Sequence, residues 1–171
     1  MNIEKLSKEE IMLTINHLSR GHKEIKEAIE AGVAVKVSLS RLMEKLNSAR
    51  GWGIWDIFGG KLIANMGKHF AIEAANKISD EVKDNLRRFE KELNDINRSM
   101  DLAINLSGFA TFADFFFDGL IADFYVQGKI NNARKNAQGA QESVDEILSK
   151  LEVDLDRVKN LLKELENKNE V

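Results

Sequence analysis

The chain has no cysteine and no proline in 171 residues. Without cysteine there is no disulfide framework, no thiol nucleophile and no thiolate metal site. Average usage of ~5% would place roughly eight or nine prolines in a chain of this length. Proline removes a backbone donor and clashes with the preceding helical turn, so its absence leaves long helices uninterrupted. No run of 18 apolar residues occurs, so no membrane-spanning helix is expected. The first residues, MNIEKLSKEEIML, are highly charged and lack the apolar stretch of a signal peptide, and a cytoplasmic location is expected. An excess of one charge is missing as well. Lys and Arg number 25 against 28 Asp and Glu, a net charge of −3. Acids and bases are mixed along the chain, whereas a nucleic-acid binder needs a basic face to neutralise phosphates. Neither DNA nor RNA is expected as a partner.

What is present reads as helix. Apolar residues make up 43% of the chain, enough for a continuous core, and the length suits one domain over 1–171. Apolar residues do not alternate with period two, so no strand is expected. The first helix is expected over about 3–48. Its apolar seam is Ile11, Ile15, Leu18, His22, Ile25, Ile29, Gly32, Lys36, Leu39, Met43 and Leu46, flanked by Ala28, Val35 and Leu42. Two adjacent columns make a stripe wider than a two-stranded coil needs, so this helix requires two neighbours. The second helix is expected over 57–106, with Leu86, Phe89, Leu93, Ile96, Met100 and Ala103 as its seam. Ile78, Val82 and Leu86 are spaced 4-4, which reads as a stutter. The third is expected over 114–167, with a seam from Ala137 to Leu165 flanked by Leu148, Leu155 and Leu162. Short connections make successive helices antiparallel neighbours. The expected fold is all-α, an elongated antiparallel up-down-up bundle of three long helices with coiled-coil-like packing. Glycines at 21, 32, 128 and 139 mark bends, breaks or close helix contacts.

The two expected connections are aromatic where turns are ordinarily polar. They are GWGIWDIFGG at 51–60 and SGFATFADFFFDG at 107–119. Both tryptophans, Trp52 and Trp55, and six of the nine phenylalanines lie in these two segments. Offset by 58 residues, the segments repeat one another. Asp56 aligns with Asp114, Phe58 with Phe116, Leu62-Ile63-Ala64 with Leu120-Ile121-Ala122, and Asn65 with Asp123. Aspartates at helix entries satisfy orphan amides and oppose the positive end of the dipole. The repeated entry therefore reads first as a structural plug for the ends of the bundle.

The strings GWGIWDIFGGKLIANMGKH and FADFFFDGLIADFYVQGKINNA resemble segments of an uncharacterised helical family of low-GC Gram-positive bacteria. The resemblance covers about 80 residues around the two aromatic segments. That family has no assigned activity, so the likeness implies no function and carries over no site residue.

Signs of catalysis are few. His17 and His22 are five residues apart and do not share a helix face, and neither His-Glu-x-x-His nor Glu-x-x-His occurs. No metal site is expected. The loop GWGIWDIFGG matches no phosphate-binding glycine pattern. Asp114 and Asp118 share a helix face, but nothing supplies a nucleophile or an oriented base. Neither an enzyme, a cofactor nor a small-molecule substrate is expected. Asp56, Asn65, Asp114, Asp118 and Asp123 instead form a candidate polar cluster at the bundle ends. Trp52, Trp55, Phe58, Phe112, Phe115, Phe116 and Phe117 form the candidate interaction surface.

The favoured reading is a non-enzymatic coiled-coil scaffold or adaptor acting through protein–protein contacts, with a protein partner or a second copy of the chain. The rival is a peripheral membrane protein that inserts an aromatic turn. Tryptophans favour the membrane interface, but the four aspartates near them oppose anionic lipid.

Overall fold

The computed structural model describes residues 6–55, 61–100 and 127–169, with side chains over 6–48, 77–100 and 131–169. The described residues form three helices: α1 (Lys8–Trp55), α2 (Lys61–Ser99) and α3 (Gln127–Asn169). They contain 48, 39 and 43 residues, or about 72, 58 and 64 Å at 1.5 Å per residue. The protein is an all-α bundle, as its periodicity predicts.

α1 begins at a capping box. The Ser7 amide donates to Glu10 Oε2 at 2.8 Å, and the Glu10 amide donates to Ser7 Oγ at 3.2 Å. Two orphan amides are satisfied reciprocally. Leu6 and Ile11 hold the positions of a hydrophobic staple, and Leu6 packs on the core that Ile11 belongs to. The backbone and hydroxyl donors of Ser7 hold the Glu10 carboxyl below the usual carboxylate range. This cap places the start of α1 at Lys8, after the expected Ile3.

The other end of α1 also departs from expectation. The helix does not stop at Ser48 but continues through Gly51-Trp52-Gly53-Ile54-Trp55. Glycine costs a helix about 1 kcal/mol relative to alanine. It keeps its amide donor, however, and does not terminate a helix as proline does. Nor does α1 break at Gly21 or Gly32.

The buried columns of α1 are Leu18, Ile25, Gly32, Leu39 and Leu46, beside Gly21, Ala28, Val35 and Leu42. The column Ile15, His22, Ile29, Lys36 and Met43 is only half-buried, so it is the edge of the stripe rather than its centre. The exchange explains why a histidine and a lysine fit there. Lys36 reaches past the edge of α3 to Asp145, at 2.6 Å.

α2 packs antiparallel to α1. Met100 lies against Gly21, Phe89 against Gly32, and Glu81 pairs with Arg41 at 3.1 Å. Its buried seam is Ser79, Val82, Leu86, Phe89, Leu93, Ile96 and Met100. The expected stutter is absent because Ser79, fully buried, holds the seam position and Ile78 sits beside it. Regular 3-4 spacing is thereby kept through a polar residue. A second polar residue crosses the same interface. Asn85 Nδ2 donates to the Ala34 carbonyl at 3.3 Å and to Ser38 Oγ at 3.2 Å. Ser38, itself fully buried, donates to the Val35 carbonyl at 2.9 Å. Directional bonds of this kind hold one register where apolar packing alone tolerates slippage.

α3 is also antiparallel to α1. Leu148 meets Gly32, Asp145 meets Lys36, and Asn131 and Arg134 lie beside Met43 and Asn47. α3 therefore runs in the same direction as α2, which departs from a simple up-down-up order. Its buried face is Ala133, Ala137, Ala140, Val144, Ile147, Leu148, Leu151, Val158 and Leu165, small near the start and large beyond.

Three measurements check this packing. Ser79 Oγ is buried with no hydrogen-bond partner, and such a group costs about 1–3 kcal/mol. Ser79→Ala is expected to raise the midpoint of urea unfolding. A Cβ on Gly139 meets nothing within 4 Å, whereas one on Gly32 lies 2.7 Å from Leu148 Cδ2 and 2.9 Å from Phe89 Cε2. Gly139→Ala should stabilise by about 1 kcal/mol through helix propensity alone. Gly32→Ala should lose that gain to an overpacking cost of about 1–3 kcal/mol. Finally, the depressed Glu10 carboxyl stabilises the folded state above its ordinary value of 4.5, and this is lost as pH falls through the lower folded-state value. The protection of the Glu10 and Ile11 amides, taken relative to their intrinsic exchange rate at each pH, should fall on acidification below that range, and Glu10→Ala should remove the dependence.

Candidate functional site

The antiparallel packing brings the starts of α2 and α3 to the end of α1. This end of the bundle is made by residues 45–55, 61–72 and 127–141. Those stretches contain Lys45, Arg50, Lys61, Lys68, Lys129, Arg134 and Lys135, and no aspartate or glutamate. The rest of α3, residues 142–169, carries eight acids against five bases. Among the described residues, these three stretches carry basic charge alone, with Glu44, Glu73 and Glu142 at their borders. Trp52 and Trp55 occupy the last turn of α1 at this same end. Asn65 lies just inside α2, and Leu62-Ile63-Ala64 of the repeat fills that helix's first turn.

The remaining predicted site residues fall elsewhere. Asp56 and Phe58 lie between α1 and α2, outside the described residues. Phe112, Asp114, Phe115, Phe116, Phe117, Asp118 and Asp123 lie in 101–126, also outside them.

Between α1 and α3, at the basic end, runs an open groove of about 470 Å³. Its described lining is Met43 and Asn47 from α1 and Asn131, Arg134, Lys135 and Gln138 from α3. The groove follows from side-chain size. α3 contacts the bundle here through Ala133, Ala137 and Ala140, so its longer polar side chains flank the interface instead of filling it. Gln138 Nε2 donates to Glu142 Oε1 at 3.2 Å, which ties it down the helix. Composition and periodicity give no signal for this site, because its residues come from two segments more than 80 positions apart.

A second cluster is acidic. Ligand oxygens of Glu24, Glu27 and Glu92 lie within 4.8 Å of one another across the α1–α2 interface. Lysines answer this charge. Lys23 pairs with Glu27 at 3.4 Å, and Lys91 pairs with Glu92 at 3.3 Å and Asp95 at 3.0 Å. Hydrogen bonds to Asp95 and then Glu92 raise the Lys91 pKa and hold its ammonium charged. Each helix thus neutralises its own share of the cluster with a lysine.

Large apolar side chains reach solvent in a few places. Met12, Leu13 and Val153 are exposed, and so are Val33 and Val37, at 47% and 46%. The two valines are four residues apart on the side of α1 turned away from both α2 and α3. Among the described residues, no helix is long and apolar enough to cross a membrane.

No protein-family model, curated protein or solved structure matches this chain. The resemblance to an uncharacterised family therefore stands on the two quoted strings alone.

Proposed function

We propose that the protein is a non-enzymatic helical scaffold that works by protein–protein contact, and that it associates with a second copy of itself. The observation that supports this reading is the free side of α1. This helix is held on two sides, and its third side presents Val33 and Val37 to solvent. Exposed aliphatic pairs on a rigid helix suit helix-to-helix docking, with main-chain groups already satisfied and little ordering entropy to offset. The acidic cluster of Glu24, Glu27 and Glu92 is already matched by lysines.

The membrane reading gains one support from the tertiary structure. Acidic residues near the tryptophans weigh against lipid in the sequence, yet seven bases from three separate segments converge on that end. A basic surface with tryptophans suits an anionic bilayer interface.

One pair of measurements separates the readings. Light scattering coupled to size exclusion should give a mass above the 19.3 kDa of one chain, and Val33→Asp with Val37→Asp should return it to one chain. A single-chain mass at all concentrations, with a blue shift of tryptophan emission and co-sedimentation on anionic liposomes, would replace the scaffold reading with the membrane one.

A further inference from the structure

The groove between α1 and α3 has a chemistry that the scaffold reading does not use, and it gives the cations counted in the membrane reading a defined site. Arg134 and Lys135 supply two cations side by side, and neither makes an ion pair among the described residues. Asn47, Asn131 and Gln138 add amides, which donate and accept. Asn47 and Asn131 are exposed and have no described partner to compete for them. The only acid bonded to the lining is Glu142, through Gln138. On α1, Glu44 lies between the lining residues Met43 and Asn47 and is paired with Lys45 at 4.0 Å, so the charged side chains of the lining itself are the two cations Arg134 and Lys135. Unlike a single surface lysine, this is a groove lined by two cations and three amides. A guanidinium fork binds two oxygens of one phosphate, and a neighbouring ammonium adds a point charge.

We propose that this groove binds a phosphate-type oxyanion, with Arg134 as the bidentate anchor, Lys135 as the second cation and Asn47 and Asn131 as neutral donors. Its volume exceeds that of a bare phosphate. The groove leaves room beside Met43 for the group that a phosphomonoester carries. The phosphomonoester is either a soluble one or the headgroup of a lipid, and the chemistry at Arg134 is the same for both.

The test uses the full chain. Two-dimensional NMR with inorganic phosphate, against sodium chloride of equal ionic strength, should show saturable shifts at residues 131–138 and 43–47. Each charge-assisted bond is worth about tenfold in affinity. Arg134→Gln with Lys135→Gln should therefore weaken binding at least about tenfold. Lys159→Gln with Lys163→Gln, on the acidic half of the same helix, should leave it unchanged. Circular dichroism on both variants establishes that the helices persist. Vesicles of phosphatidic acid in phosphatidylcholine then identify the source. Co-sedimentation that depends on Arg134 and Lys135 assigns the site to a lipid headgroup, and phosphate binding without it assigns the site to a soluble phosphomonoester. Absence of a saturable shift at these residues overturns the proposal, as does equal weakening by the Lys159 and Lys163 pair.

Discussion

A helix whose buried stripe is two columns wide cannot be satisfied by one partner, and α1 is such a helix. Leu18, Ile25, Leu39 and Leu46 on one column and Ala28, Val35 and Leu42 on the next are all buried. Burial of this apolar surface is the main favourable term for the fold. It brings α2 and α3 onto adjoining sides of α1, both antiparallel to it. The three meet at Gly32, where the missing side chain admits both Phe89 and Leu148. Helix continuity through that point has a propensity cost, which the tighter packing offsets.

Polar groups then choose among the registers that apolar packing would allow. Ser38 and Asn85 tie α2 to the backbone of α1, and Lys36–Asp145 and Arg41–Glu81 bracket the two interfaces at their edges. Exposed pairs of the latter kind contribute little stability, about 0–1 kcal/mol each. Their value lies in orientation: each is satisfied at one axial position of the helices and lost at the next turn. The same clamp brings the beginnings of α2 and α3 beside the end of α1. The basic end and its groove are consequences of that alignment, and any docking of anions there depends on core packing some distance away.

Much of the architecture was legible in the sequence. Periodic apolar residues and the absence of proline pointed to long helices; the α2 seam is buried from Val82 to Met100, Ala103 lying outside the described residues, and the α3 seam is buried except at Asp154 and Leu161, which are half-buried like the flanking Leu155 and Leu162. The misreadings share a physical origin. Ile78 looked like the seam residue because it is apolar, yet helix geometry places Ser79 there. The half-buried column of Ile15, Ile29 and Met43 looked central because it is mostly apolar, yet the small residues Gly21 and Ala28 lie deeper. Residues 51–55 looked like a turn because glycine is rare in helices, yet glycine only weakens a helix. The capping box at Ser7 and Glu10 is a spacing signal that the apolar pattern does not contain.

Chain composition by itself determined the class of structure and excluded thiol chemistry, because hydrophobic period and missing residue types are local properties. It also placed both tryptophans beside the end of a helix. The tertiary structure alone decided the direction of α3, the exposure of Val33 and Val37, and the bringing together of basic stretches from three helices among the described residues. Each of these depends on which segments become neighbours in space. A net charge summed along the chain averages over both ends of the bundle, whereas a ligand meets only the field of the end that it approaches.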